Sequence, residues 1–283
     1  MKVLISTITR YFYLLALISV CAVGLYGMQN AQARSLDEIM SSKNMRIGII
    51  LVDQMVMRDP NSGELSGVWI DGIKRLFATL NLEPEFVETK WATFVGGLQA
   101  EQFDVFISGF MTPQRALVLE YSNPVVFLGH SASTLKENAG KFKTLSDLNH
   151  PDVIIATALG GSGHQFAKQH LPNATIRPLD TGDLTASGME VLSGRATIAM
   201  DNAFSIGRFV KMNDDRMVDL FGDDPFNVLP VSWAIKAGNP RLLTFVNNML
   251  DYMKTNGIWQ AAAVGYTDTG LYIAKEIYQP LKP

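Results

Sequence analysis

Cysteine is nearly absent. Of 283 residues only Cys21 is a cysteine, and it sits in an apolar run near the amino terminus. The rest of the chain is thus without disulfides, thiolate metal sites and cysteine nucleophiles. Histidine is scarce too, and His130, His150, His164 and His170 show no metal-ligand spacing. No Gly-x-Ser-x-Gly elbow occurs. Gly160-Gly161-Ser162-Gly163 lacks the following Lys-Ser/Thr of a phosphate loop. Excess positive charge is missing as well. With 24 Lys and Arg against 27 Asp and Glu the net charge is −3, so nucleic acid is not an expected partner. There is no internal repeat, and no cofactor or metal is expected.

What is present begins with a leader. Lys2 and Arg10 precede an apolar run over residues 11–28, and Ala31-Gln32-Ala33 gives the small-x-small pattern of a secretory cleavage site. An uncleaved anchor is the alternative, since about 18 apolar residues just span a bilayer. The polar step at residues 29–32 favours cleavage, with 1–33 as signal peptide. Val20 before Cys21 argues against lipid attachment. The leader carries two basic residues and no acid, so its removal takes −3 to −5. No later segment is apolar and long enough to span a membrane.

Beyond the leader, strand and helix patterns alternate. Residues 45–52 read as a buried strand, 59–64 as a hairpin loop rich in turn formers, and 68–80 as a helix with Ile70, Ile73, Leu76, Phe77 and Leu80 on one face. Strand 84–89, helix 91–98 and strand 104–108 follow. After a crossing segment at 125–144 the pattern restarts: strand 152–159, helix 164–170, strand 175–179, helix 186–193 and strand 196–200. Strand 231–235 and a helix from Pro240 to about Lys254 close it. Alternation of this kind means α/β architecture with mostly parallel sheets. Its two blocks imply two lobes with a cleft between them. In open α/β sheets ligands bind beyond the carboxyl ends of strands, and Ser108, Gly160 and Asp201 stand at such ends.

Several side chains there suit a small polar ligand. Arg115 offers a fork of donors that matches a carboxylate at any relevant pH, with the Ser108 and Thr112 hydroxyls near it in sequence; a solvated helix-start arginine is the plainer reading. Asp201 either pairs with a cation or caps the helix that follows. Gly161 and Ser162 either bind an anion at a helix start or form only a tight turn. Trp91 is a ligand wall or plain core.

The stretch Asp104, Ser108-Gly109, Thr112-Pro113-Gln114-Arg115, Tyr121-Ser122-Asn123-Pro124 resembles the signature of family 3 periplasmic solute-binding proteins, the polar amino-acid receptors of ABC importers. Gly63-Glu64-Leu65-Ser66-Gly67 with Asp71, then Trp91, Gly194-Arg195 before Asp201-Asn202, and residues 234–240 follow in the family's order. The resemblance implies the two-lobed periplasmic-binding-protein fold, with 34–127 plus 228–283 as one lobe and 128–227 as the other. It also implies capture of an amino acid or similar carboxylate by hinge closure, delivery to a membrane permease, a periplasmic location, a monomer and no catalysis. Arg115, assisted by Ser108 and Thr112, would hold the ligand carboxylate. Ser162 and the Gly161 and Gly163 N–H groups would close over it, Asp201 would take the ammonium, and Trp91 would wall the side chain.

The chain departs from the pattern at three places, one of them the lack of a tyrosine pair after Pro124. Phe110 or Met111 stands where a hydroxyl is usual, and Asp53-Gln54-Met55-Val56-Met57 replaces the aromatic cluster after strand one. The stretch 145–171 is also similar to cyclohexadienyl dehydratases, which share the fold. That likeness implies a runner-up activity on a prephenate-like acid, with His164 or Asp201 as general acid.

Overall fold

The computed structural model describes residues 33–266. The leader with Cys21, and the chain after 266, lie outside the described residues.

The first elements show how local sequence sets the frame. Helix α1 (Leu36–Ser42) starts in a capping box, in which Ser35 Oγ accepts from the Glu38 N–H and Glu38 accepts from the Ser35 N–H. Strand β1 (Asn44–Ile49) follows. The loop expected at 59–64 joins two short strands, β2 (Met57–Arg58) and β3 (Leu65–Ser66), as a hairpin. Helix α2 (Val68–Leu80) has the bounds its periodicity predicts. Its Ile70, Ile73, Leu76 and Phe77 are buried, and it stops at Asn81 in the left-handed conformation.

Next come β4 (Glu83–Glu88), α3 (Phe94–Gln99), β5 (Val105–Phe110), the one-turn α4 (Pro113–Ala116), β6 (Leu119–Tyr121) and β7 (Val126–Leu135). The second block is β8 (Ile154–Ala158), α5 (Ser162–His170), β9 (Thr175–Leu179), α6 (Thr185–Leu192), β10 (Ile198–Asn202), α7 (Ala203–Met212) and β11 (Met217–Asp219). Strand β12 (Phe226–Lys236) leads back to α8 (Pro240–Thr255) and α9 (Ile258–Ala263).

The main sheet runs β4-β1-β5-β12-β7-β10-β8-β9, with β6 on β12 and β11 on β7. It holds two parallel groups, β4-β1-β5 and β10-β8-β9. Strands β12 and β7 join them and pair antiparallel with their neighbours and with each other. The expected parallel sheets are thus linked into one mixed sheet. The first half of segment 125–144, expected as a crossing, is strand β7 at the centre of the sheet, and a 3-10 helix over Lys136–Lys141 follows it. The Gly, His, Ser and Thr residues of β7 hide a strand because it is buried on both faces and so needs no alternation of polar and apolar residues.

Each group has its own core. Ile47, Ile49, Ile73, Phe77, Val105 and Ile107 belong to the first, and Leu148, Ile155, Ala167, Ile198 and Met200 to the second. A third cluster draws on both: Trp91, Phe94 and Phe106 pack with Ala158 and Leu184.

Candidate functional site

Strand β5 ends where the site begins. Ser108, inside it, has φ +70°, a left-handed conformation uncommon for a residue with a side chain, and its buried Oγ has no hydrogen-bond partner. Two residues past the strand, Thr112 caps α4: its Oγ1 accepts from the Arg115 N–H at 3.4 Å, with Pro113 in the first turn. This tight turn sends Arg115 inward. Its side chain is buried, 4% exposed, against the plain reading of a surface arginine.

The guanidinium donates to the Phe110 carbonyl at 2.9 Å and, across to the second block, to the Gly160 carbonyl at 2.8 Å. It lies 4.7 Å over the Phe94 ring, which stacks on Phe106 at 4.2 Å. Burial pulls its pKa below the ordinary value. Among the described residues no carboxylate forms an ion pair with it. A desolvated cation held by two neutral carbonyls still lacks an anion. Trp91 meets Phe94 and Phe106 edge to face, at 6.4 and 6.3 Å, with its buried Nε1 unpartnered.

Opposite stands the turn from β8 into α5. Gly160 has φ +75°, and a Cβ there would lie 2.7 Å from the Ala92 Cα, so glycine lets the two blocks touch. Gly161 occupies the N-cap without a side-chain cap, leaving the first N–H groups of α5 to other acceptors. Ser162 Oγ lies 2.7 Å from His130 Nε2, and His130 Nδ1 lies 3.0 Å from the Asn227 carbonyl. Burial pushes the His130 pKa down to about 4. A cavity of about 380 Å³ lies between Thr112 and Gln114 on one side and Ser162 and Phe166 on the other, with Asn227 and Leu229 of β12 also lining it. That is within the size range of small-molecule sites.

Asp201 ends β10. Its cap alternative fails, because Asn202 caps α7, accepting from the Ser205 N–H at 2.9 Å. Asp201 Oδ1 accepts from the Asn202 N–H at 3.0 Å, while buried Oδ2 has no partner. Burial raises its pKa to about 7; the Asn202 and Ala158 N–H groups oppose this in smaller measure. A Cβ on Gly163 would meet Thr157 Oγ1 at 3.2 Å and the Asp201 Cα at 3.4 Å, so Asp201 stands beside the start of α5.

The structure therefore brings Arg115 to Gly160 at the start of α5, and Thr112 and Ser162 to opposite sides of one cavity, while Trp91 packs on Phe94 and Phe106, Asp201 is buried beside Gly163, and Ser108 lies in the strand leading to Arg115. Sequence reasoning missed His130, Phe94 and Asn227. A histidine amid small polar residues in a central strand was the one available signal. Arg58 pairs with Glu88 at 2.8 Å, while Asp53 pairs with Arg208 of α7 at 2.5 Å and bridges the two blocks. Lys90 and Asp180 form a second bridge at 3.0 Å, both exposed. Among the described residues no group of three or more His, Cys, Asp or Glu is placed to hold a metal ion, and no helix is long and apolar enough to cross a membrane.

This geometry, an unpaired buried cation facing a helix start across two strand blocks, accords with a match over most of the chain. The family model of bacterial extracellular solute-binding proteins, family 3, covers residues 49–269. The chain belongs to that family. This solute-binding protein is 26% identical over 253 residues to the L-cystine-binding protein TcyJ of Escherichia coli K12, covering 87% of this chain and 92% of that one. It is 25% identical over 174 residues to a cyclohexadienyl dehydratase of Pseudomonas aeruginosa, covering 61% and 64%. Among solved structures, the ancestral amino acid-binding protein AncCDT-1, a precursor of cyclohexadienyl dehydratase, superposes with TM-score 0.72 at 34% identity, over 81% of this chain and 97% of that one. The fold is thus the two-lobed one of these binding proteins, with the cleft between lobes.

Proposed function

We propose that this solute-binding protein captures an amino acid in its interlobe cleft by hinge closure and delivers it to an ABC importer permease. The observation that carries the reading is Arg115: buried, charged and without an anion, it points across the cleft at the start of α5. A solute carboxylate supplies that anion, with the Arg115 guanidinium on one side and the first N–H groups of α5 on the other. Thr112 fixes the turn that aims Arg115, and Ser108 offers its free hydroxyl beside it. Asp201 takes the ammonium, and Trp91 walls the side chain.

Of the described residues, 34–127 with 228–266 form one lobe and 128–227 the other, the expected extension of the first lobe to 283 lying outside them; strands β7 and β12 are the hinge. The protein acts in the periplasm as a monomer after loss of residues 1–33. The names of the relatives support amino acids as the ligand class.

The test is calorimetry with L-cystine, L-lysine, L-arginine and L-glutamine. At least one binds in the micromolar range. Arg115→Met weakens it about 100-fold or more, since two charge-assisted hydrogen bonds contribute ~1.5–3 kcal/mol each. Unchanged affinity in the variant refutes the site.

One observation favours a second reading. A carboxyl raised to about 7 is still half protonated at neutrality and suits a general acid, so Asp201 would protonate the leaving hydroxyl of a prephenate-like acid held by Arg115 while the ring carboxylate departs as carbon dioxide. Incubation with prephenate decides: an ultraviolet-absorbing aromatic product establishes the dehydratase, and silence leaves the receptor.

A further inference from the structure

The residue in the cleft with the least expected surroundings is Ser162. As the first residue of α5 it is expected to donate its hydroxyl proton to a solute carboxylate, but its Oγ already lies 2.7 Å from a ring nitrogen of His130. His130 is fully buried in the middle of β7, between the rings of Phe110 at 5.2 Å and Phe226 at 6.2 Å. Its other ring nitrogen, Nδ1, faces Asn227, whose backbone carbonyl is at 3.0 Å and whose side-chain amide nitrogen is at 3.4 Å. A carbonyl only accepts, and it is the nearer of the two. Nδ1 therefore carries the ring proton, and Nε2, bare in the neutral ring, accepts from Ser162. Asn227 holds its carbonyl there from a left-handed backbone conformation, φ +48°.

We propose that His130 is a positioning residue that fixes the polarity of the solute site: it takes the Ser162 hydroxyl proton, so that Ser162 Oγ faces the cleft as a hydrogen-bond acceptor and receives the solute's ammonium group together with Asp201. The carboxylate is then held by Arg115 and the backbone N–H groups of α5 alone. Three placements support the division. Ser162 borders the cavity between the blocks. Asp201 adjoins the start of α5 through Gly163. The Arg115 guanidinium approaches that helix at Gly160, the residue before the N-cap. A serine with its proton committed cannot also donate to a carboxylate, and two lone pairs beside a carboxylate repel it. The site then distinguishes an α-amino acid from the same acid lacking its amino group by two acceptors instead of one.

The inference rests on the amino-acid reading above, and its test separates the two. In the unliganded protein, long-range nitrogen–proton NMR reads the His130 tautomer without any solute. The expected result is protonated Nδ1 and bare Nε2, with the Nε2 resonance moving in Ser162→Ala. Protonated Nε2 overturns the proposal whatever the ligand. Calorimetry then compares L-lysine with 6-aminohexanoic acid, and L-glutamine with 4-carbamoylbutanoic acid. Ser162→Ala weakens the amino acid about tenfold more than its des-amino partner, the worth of a hydrogen bond to a charged group. His130→Phe, which frees the Ser162 proton, lowers the same preference, and His130→Gln, which restores an acceptor, regains most of it. An equal loss for both members of a pair makes Ser162 a carboxylate donor and overturns the proposal. If the expected tautomer is found but wild-type protein binds no amino acid of the panel, the proposed function falls and takes the ammonium role with it.

Discussion

The acid at the end of β10 makes the most demanding prediction. Asp201 is buried with one oxygen unpartnered, and its pKa is raised from the ordinary 3.8 to about 7. In the unliganded protein near pH 5, only about 1 in 100 molecules has this group ionised. If the solute's ammonium pairs with the carboxylate, binding must first remove a proton. Affinity for an amino acid then falls with pH below 7, at a slope approaching tenfold per unit, and is about 50-fold weaker at pH 5 than at pH 7. The solute's own carboxylate and ammonium do not titrate in this window, and His130, pushed down to about 4, stays neutral across it. Arg115 stays charged. Calorimetry at pH 5.5 in two buffers of different ionisation enthalpy reads the released proton directly, close to one per solute.

The same shift has a sign for stability. The folded state holds the proton between pH 3.8 and about 7, and the unfolded state does not. Stability contributed by the neutral acid is therefore full below pH 4 and lost as pH rises towards 7, by roughly 4 kcal/mol. Asp219, also raised by burial, acts in the same direction. Asp201→Asn mimics the neutral acid: it melts higher than wild type at pH 8, shows a flatter profile, and binds the amino acid weakly at every pH. A wild-type affinity that is flat from pH 5 to 8, or an Asp201→Asn affinity that keeps the slope, refutes the pairing.

Other expectations concern closure. Asp53→Asn breaks the bridge to Arg208 and shifts unliganded protein towards an open form, seen as a larger radius of gyration in X-ray scattering; an unchanged radius removes the bridge from the hinge equilibrium. Lys90→Ala leaves that radius unchanged at about 0.15 M salt, because an exposed pair contributes only ~0–1 kcal/mol. Gly160→Ala strains a residue at φ +75° and drives a methyl onto the Ala92 backbone. Affinity falls about tenfold or more while the circular dichroism of the unliganded protein is unchanged; an unaffected affinity shows that the 160–92 contact is not part of the bound form.

The sequence showed the elements better than their assembly. Helix α2 is read to the residue because its apolar period and its stop at Asn81 are local. Strand β7 was missed because a central strand is defined by neighbours far along the chain: His130 pairs with Asn202 and Phe226. The site divides in the same way. Arg115 is legible from Thr112-Pro113, which fix a tight turn after a strand. Its desolvation is not legible, since Phe94 and Gly160 come from other elements. The Ser162–His130 contact spans 32 residues and the His130–Asn227 contact 97, and no spacing rule announces either.

The unliganded cleft is arranged around two incomplete charges. Arg115 is a permanent cation whose partners are neutral carbonyls. Asp201 avoids the matching difficulty by holding a proton, which a guanidinium cannot do by losing one at these pH values. Were the two close enough to pair, each would satisfy the other and the cleft would gain little by admitting a solute. Instead, among the described residues, Arg115 donates to the Phe110 and Gly160 carbonyls and Asp201 accepts from the Asn202 N–H. In the proposed site a zwitterion inserted between them would supply an anion to the first and draw the proton from the second, so one small molecule would complete both. A solute with only a carboxylate completes one, leaving Asp201 protonated and its affinity nearly independent of pH. The contrast between an amino acid with a steep pH profile and its des-amino analogue with a flat one follows from this separation alone.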